Sequence, residues 1–270
     1  MRTPQRAEIG VIGGSGLYSF LDDAEAVDVH TPFGPPSEPP VVGTVGGRSV
    51  AFLPRHGADH RFGPHRVNYR ANLWALRAVG VRQVLAPCAV GSLRPELGPG
   101  TVVLPDQVLD RTWGREHTVY GEVGTVVHVA FADPYCPRGR SAVRAAADAA
   151  GEPVVDGGTI VVVNGPRFSS RAESVWHAST GASVVGMTAM PEAAIARELA
   201  LCLTGVALVT DLDAGVDGAE GVTHSEVLDV FSRNVERLKV LLADAVARLP
   251  GGDCSCHHAL DGLDLPFDLP

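Results

Sequence analysis

The stretch Val206-Ala207-Leu208-Val209-Thr210-Asp211-Leu212-Asp213-Ala214-Gly215 decides how the rest of the chain is read. Its four apolar residues predict a buried strand, and two carboxylates follow at the carboxyl end, spaced i, i+2. If the chain is still extended there, Asp211 and Asp213 project from one face. Two acids so close cannot both ionise freely, so one pKa is expected to rise. Open α/β sheets bind ligands at the carboxyl ends of their strands, which makes the pair a candidate for substrate recognition and proton donation. A helix cap or a solvated turn would explain the same two residues, and alone they leave the choice open.

Moving outward, Ile9 to Ile12 is a short apolar run that breaks into Gly13-Gly14-Ser15-Gly16-Leu17. Glycines after a strand can turn backbone N–H groups toward an anion, and Ser15 adds a hydroxyl. The spacing is not G-x-G-x-x-G, which weakens a dinucleotide reading. Val41–Val45 and Arg48–Leu53 alternate around Gly46-Gly47, predicting a hairpin that runs into Pro54-Arg55-His56-Gly57. A cation beside an imidazole at a strand end suits phosphate or carboxylate. His56, His60 and His65 invite a metal reading, but Gly57, Gly63 and Pro64 break any helix that would align them, so no metal is expected there.

Residues 67–79 have helical spacing, as do 138–150. Gln83–Ala86 and Thr101–Leu104 are expected as strands, with Cys88-Ala89-Val90-Gly91-Ser92 turning between them. Residues 111–125 are polar and irregular, long enough to suspect a functional loop. Thr159–Val163 predicts another strand, ending in Asn164-Gly165-Pro166-Arg167-Phe168. Ser170/Glu173 and Thr223/Glu226 have capping-box spacing, the second opening a long helix to about Arg248. Pro191 suits the first turn of a helix to about Leu203. Strands alternating with helices indicate an α/β fold. No linker divides the chain, so 1–250 is read as one domain, with an irregular tail, 251–270, expected to dock at a subunit interface.

With 270 residues and 45% hydrophobic content there is ample material for a core. A net charge of −9 argues against nucleic-acid binding, so an anionic ligand needs a local positive pocket. The lone lysine among the basic residues is read as codon bias rather than function. No run is long enough to span a bilayer and no signal peptide is evident, so a cytoplasmic protein is expected. Five cysteines do not make a secreted disulfide framework. Cys254, Cys256, His257 and His258 look like a metal set, but sit too close in sequence for an easy tetrahedral site, and a redox-active or inert pair is expected instead.

Together the strand-end segments resemble the trimeric purine nucleoside phosphorylase family, most closely its methylthioadenosine phosphorylase branch. The resemblance rests on Gly13-Gly14-Ser15-Gly16, Arg55-His56-Gly57, Val67-Asn68-Tyr69-Arg70-Ala71-Asn72, Gly91-Ser92-Leu93, Gly165 to Ser174, Met187-Thr188 with Pro191-Glu192, and Thr210-Asp211-Leu212-Asp213. It implies a single-domain nucleoside phosphorylase-like fold, a mixed β-sheet flanked by helices, and a homotrimer or hexamer with sites near subunit interfaces. By matching positions, Ser15, Arg55, His56, the Ala89 N–H and Thr188 would hold phosphate. Met187 would lie against the ribose and Phe168 against the purine, with Asp211 and Asp213 on its N7 and 6-amino edges. His128 would reach across an interface to the ribose 5′ end of a neighbouring site.

The resemblance implies phosphorolysis of S-methyl-5′-thioadenosine, with inorganic phosphate as co-substrate and no cofactor or metal. Ionised carboxylates accept from a 6-amino group, so Asp211 and Asp213 favour adenine over 6-oxopurines. Two positions depart from the branch. Cys88 stands where threonine is usual near the phosphate, and a thiol donates weakly. His224 stands where 6-oxopurine enzymes hold the 5′-hydroxyl, so a purine nucleoside phosphorylase acting on 5′-hydroxyl nucleosides is the alternative. A nucleotide sensor, an oxidoreductase and a hydrolase using water are the rivals from other classes.

Overall fold

The computed structural model describes residues 6–14, 17, 21–124, 126–218 and 221–270. In chain order the elements are β1 (Ile9–Gly13), β2 (Asp22–Ala26), β3 (Val41–Val45), β4 (Arg48–Pro54), α1 (Tyr69–Ala78), β5 (Gln83–Ser92), β6 (Val102–Leu104), β7 (Gln107–Arg111), α2 (Pro137–Ala150), β8 (Val154–Asp156), β9 (Thr159–Val163), α3 (Arg171–Ser179), β10 (Val184–Gly186), α4 (Ala189–Glu198), β11 (Cys202–Leu212) and α5 (His224–Arg248). The strands form one mixed sheet along the path β2-β3-β4-β1-β5-β10-β9-β7, and β11 joins β5 to β6 and β8. Apolar faces of α1 and α4 cover one side of the sheet, and those of α2 and α5 cover the other. The α/β class and the mixed sheet flanked by helices agree with expectation.

Local chemistry explains most boundaries. Gly46 and Gly47 both take positive φ (56° and 77°), which suits the tight turn between β3 and β4. Asn68 caps α1 by accepting from the Ala71 N–H. Both capping boxes form, Ser170 with Glu173 on α3 and Thr223 with Glu226 on α5.

Two expectations fail. The segment from Cys88 to Ser92 does not turn, because β5 runs unbroken from Gln83 to Ser92 with β11 paired along its whole length. A parallel partner that long supplies the ladder bonds that Gly91 and Ser92 cannot secure locally. The helix after Pro191 stops at Glu198 rather than near Leu203, since Ala200 turns to φ 50° and Cys202 already begins β11.

The pairing of β5 makes the site. β11 fills one edge, so both other partners share the opposite edge. β1 takes Gln83–Leu85 in parallel, and β10 takes Gly91 and Ser92 antiparallel. Between them the edge from Ala86 to Val90 is left unpaired by strands, at a topological switch point of the kind that receives ligands. Backbone groups alternate sides along a strand. The Pro87 carbonyl accepts from Arg55 in this gap, whereas the Val90 carbonyl lies within reach of Thr210 on β11. The Ala89 N–H, two residues from Pro87, therefore faces the gap.

The tail folds back on its own chain. Cys254 and Cys256 are buried, and Phe267 stacks on Tyr120 at 5.2 Å and packs edge-on against Trp74 at 5.6 Å.

Candidate active site

A cleft of about 620 Å³ opens at the gap in the β5 edge. Gly14, Arg55, His56, Cys88, Ala89 and Thr188 line one end. Asp211, Asp213, Phe168, Met187 and His224 also line the cleft. One cavity thus gathers ten sequence-derived candidates from six segments. Ser15 lies outside the described residues. His128 is exposed and absent from the cleft wall of its own chain.

Arg55 is almost wholly buried (2% exposed) at the end of β4. Its Nε donates to Glu192, Nη1 to the Pro87 carbonyl at 3.0 Å, and Nη2 to the Ile12 carbonyl at 2.9 Å and to Glu192 at 3.1 Å. The guanidinium therefore ties β1, β5 and α4 together and offers one remaining Nη1 hydrogen. Burial works against its charge, but Glu192 more than offsets this and the pKa stays above the ordinary arginine value. Burial raises the Glu192 carboxyl, opposed by Arg55.

The His56 Nδ1–H donates to the Phe62 carbonyl at 2.8 Å, and the ring stacks on His60 at 4.4 Å. That bond leaves Nε2 as an acceptor. Burial and the neighbouring Arg55 push the imidazole pKa down to about 4, so it is neutral near pH 7. Burial lifts the Cys88 thiol to about 11, keeping it protonated. Thr188 is the N-cap of α4 and makes no capping bond, which leaves its hydroxyl for a ligand. β10 positions it: pairing of Val185 with Gly91 carries Met187 and Thr188 back alongside Ala89.

At the acidic end, the β11 register shifts between Val209 and Asp211, so Thr210 is an extra residue against β5. The two side chains meet over Gly91. A Cβ on Gly91 would lie 2.9 Å from Asp211 Oδ1 and 3.4 Å from the Asp213 Cβ. Burial and the nearby Asp213 raise the Asp211 pKa to about 6, against a hydrogen bond from Thr210 that lowers it. Asp213 is buried and accepts from the Ser174 hydroxyl at 2.6 Å. The pair lines the cleft and caps no α-helix among the described residues.

Several lining and supporting residues had no role assigned from sequence. Val227, Leu228 and Phe231 on α5 add an apolar wall at i, i+3/i+4, i+7 spacing from His224. The signal was the amphipathic pattern of that helix, which reads equally as core. Arg115, in the polar segment 111–125, donates to the Tyr69 hydroxyl, the Met190 carbonyl and the Asn164 carbonyl. Gly165 (φ 61°) sits so close to Met187 that a Cβ would lie 2.6 Å from its sulfur.

One cleft is lined by a buried arginine, a neutral imidazole and an acidic pair, a set able to meet both an anion and a base. The sequence profile of the phosphorylase superfamily matches residues 8–247, and the chain belongs to that superfamily. It is 60% identical to a purine nucleoside phosphorylase of Streptomyces coelicolor, covering 100% of both chains. It is 57% identical to an S-methyl-5′-thioadenosine phosphorylase of Mycolicibacterium smegmatis, covering 97% of this chain and 99% of that one. Among solved structures it resembles methylthioadenosine phosphorylase from Schistosoma mansoni in complex with adenine, with a TM-score of 0.85 and 39% identity over 90% of this chain and 91% of that one. A methylthioadenosine phosphorylase from an Antarctic soil metagenome gives a TM-score of 0.88 and 38% identity, covering 96% of this chain and 92% of that one.

Proposed function

We propose that the enzyme cleaves S-methyl-5′-thioadenosine with inorganic phosphate, giving adenine and 5-methylthioribose 1-phosphate. The observation that carries this is the convergence of Asp211 and Asp213 over Gly91 in the cleft that also holds Arg55, His56 and Thr188. Relatives named as methylthioadenosine phosphorylases support the substrate. Phosphate sits in the β5 gap, held by Arg55, the Ala89 N–H and the Thr188 hydroxyl, with the weak Cys88 donor beside them; Ser15 is added by the family resemblance alone. The neutral His56 accepts the O–H of hydrogen phosphate through Nε2.

A phosphate oxygen attacks the anomeric carbon of the ribose as the bond to purine N9 breaks. Positive charge developing on the sugar is stabilised by the phosphate anion. Electrons of the broken bond pass into the purine. Protonated Asp211 donates to N7, and Asp213 accepts from the 6-amino group. Because phosphate is the nucleophile, no side chain is acylated or alkylated and no cofactor is called on. Holding both reactants in one cleft replaces their random encounter with a fixed attack geometry.

A second reading, phosphorolysis of 5′-hydroxyl purine nucleosides, is favoured by His224 on the cleft wall and by the Streptomyces relative. Val227, Leu228 and Phe231 beside it favour the methylthio group. A panel of methylthioadenosine, adenosine, inosine and guanosine decides between them. The highest kcat/KM is expected for methylthioadenosine, and a preference for inosine or guanosine contradicts the assignment.

A homotrimer is what the family resemblance implies; exposed Trp113 (75%) and Trp176 (48%), both outside the cleft, are side chains that a subunit contact could bury. In such an assembly exposed His128 would serve a neighbour's ribose site. Cytoplasmic location is consistent with the absence of any membrane-spanning helix among the described residues.

A further inference from the structure

Four cysteines remote in sequence meet in one buried cluster that the proposed reaction does not use. Cys136 is the N-cap of α2, and Cys202 opens β11. Cys254 and Cys256 lie at the short 3-10 turn Ser255–His258 in the tail. All four side chains are buried, between 1% and 6% exposed, and none is in a disulfide. Their sulfurs lie within 4.8 Å of one another, and Cys136 Sγ is 3.8 Å from Cys254 Sγ.

That spacing is informative. A tetrahedral ion with metal–sulfur bonds of about 2.3 Å sets its sulfurs roughly 3.8 Å apart. Single buried thiols pack as small hydrophobes and need no explanation. Four converging on one point from two core elements and the tail is a donor set. The extent leaves room for one ion and not for a polynuclear iron–sulfur cage. With four protein ligands and no open position, the set has the form of a structural site rather than a catalytic one.

The surroundings suit the negative charge of a tetrathiolate. Cys136 caps α2, which places its sulfur at the positive end of that helix. His257 Nε2 lies 3.5 Å from Cys202 Sγ and Asp253 lies 3.5 Å from its Nδ1, so with both ring nitrogens protonated the ring donates to the sulfur on one side and to the carboxylate on the other. Arg138, also at the start of α2, donates to the carbonyls of Gly251 and Asp253 and so fixes the tail's approach. The local set weighed from sequence does not form. His258 instead pairs with Asp253 at 2.7 Å and Asp261 at 2.8 Å, and Cys136 and Cys202 complete the cluster.

We propose that Cys136, Cys202, Cys254 and Cys256 bind one zinc ion that clamps the tail to the core. Binding exchanges four thiol protons for one divalent cation, with no change of oxidation state. The clamp holds residues 251–270 where Phe267 packs on Tyr120, whose hydroxyl bonds the Glu198 carbonyl at the end of α4.

The test is metal analysis of the full-length protein purified under reducing conditions, by elemental and native mass spectrometry. About one zinc per chain is expected, released in proportion to thiols titrated with a mercurial. Cys256→Ser is expected to lose the zinc and melt several degrees lower while keeping kcat/KM within a few-fold at 25 °C. Should that variant not fold, cobalt substitution of the wild-type chain still decides, since a tetrathiolate gives intense sulfur-to-cobalt charge transfer. Iron in place of zinc, a denatured mass lowered by the hydrogens of two disulfides, or reduced protein that takes up neither zinc nor cobalt would each overturn the proposal.

Discussion

The two ends of the cleft are built differently. At the proposed anion end, Arg55 is buried to 2% and donates into β1, β5 and α4, so the group proposed to meet phosphate also holds the sheet to the helix. At the nucleoside end, Asp211 is half-buried and raised to about 6, and the wall is the first turns of α5, where His224 is exposed. Binding at the first end is inseparable from folding, while at the second end recognition can change without disturbing the core.

The strongest way to break that contrast is Arg55→Ala. It is expected to lower kcat by roughly 10²–10³ through loss of a charge-stabilising donor. It also strands Glu192 as a buried unpaired carboxyl, costing about 3–5 kcal/mol in denaturant unfolding. Lost turnover at unchanged stability would mean the guanidinium is not the brace described.

Asp211→Asn should do the reverse. A loss of about 10² in kcat/KM for methylthioadenosine is expected, a general-acid effect, with no loss of stability. The linkage has a definite sign. A carboxyl raised from 3.8 to about 6 on folding favours the native state below pH 4 and loses that contribution as pH rises through 6. Relative to wild type the asparagine variant should therefore gain stability between pH 4 and 7, reaching about 3 kcal/mol. In wild type kcat/KM should decline above about pH 6, and that limb should vanish in the variant. A limb that survives would assign the proton to another group.

Gly91→Ala is a steric version of the same test. Its Cβ would meet Asp211 Oδ1 at 2.9 Å and push the pair apart, so about a tenfold rise in KM for the nucleoside is expected, with phosphate KM unchanged. The smallest effect belongs to His224→Val on the exposed wall. Methylthioadenosine should be retained or improved a few-fold and adenosine reduced, since one group on a cleft wall is worth about 1–3 kcal/mol. The opposite exchange would show that His224 does not serve a 5′-hydroxyl.

Much of this was legible because it is written locally. The Gly46-Gly47 hairpin and both capping boxes need only neighbours in sequence, and the elements they start lie as expected. Asp211 and Asp213 could be placed because a strand's period of two fixes their common face. What was missed depends on distant partners. Residues 88–92 look like a turn until β11 is laid beside them, and only the sharing of one β5 edge by β1 and β10 explains why the Ala89 N–H is available. Arg55 was recognisable as a candidate anion ligand by its neighbours, but its pairing with Glu192, 137 residues away, was not. The same distance hid the cysteine cluster: Cys254 and Cys256 are obvious as a pair, whereas Cys136 and Cys202 join them only through the fold.

The central claim is that phosphate, seated in the β5 gap, displaces a purine held by the acidic pair. Adenine release from methylthioadenosine, followed against phosphate concentration in phosphate-free buffer, tests it most directly. The expected result is saturable dependence on phosphate, with negligible release without it and the sugar recovered as its 1-phosphate. Release at an undiminished rate without phosphate, yielding free methylthioribose, would make water the nucleophile and contradict the account.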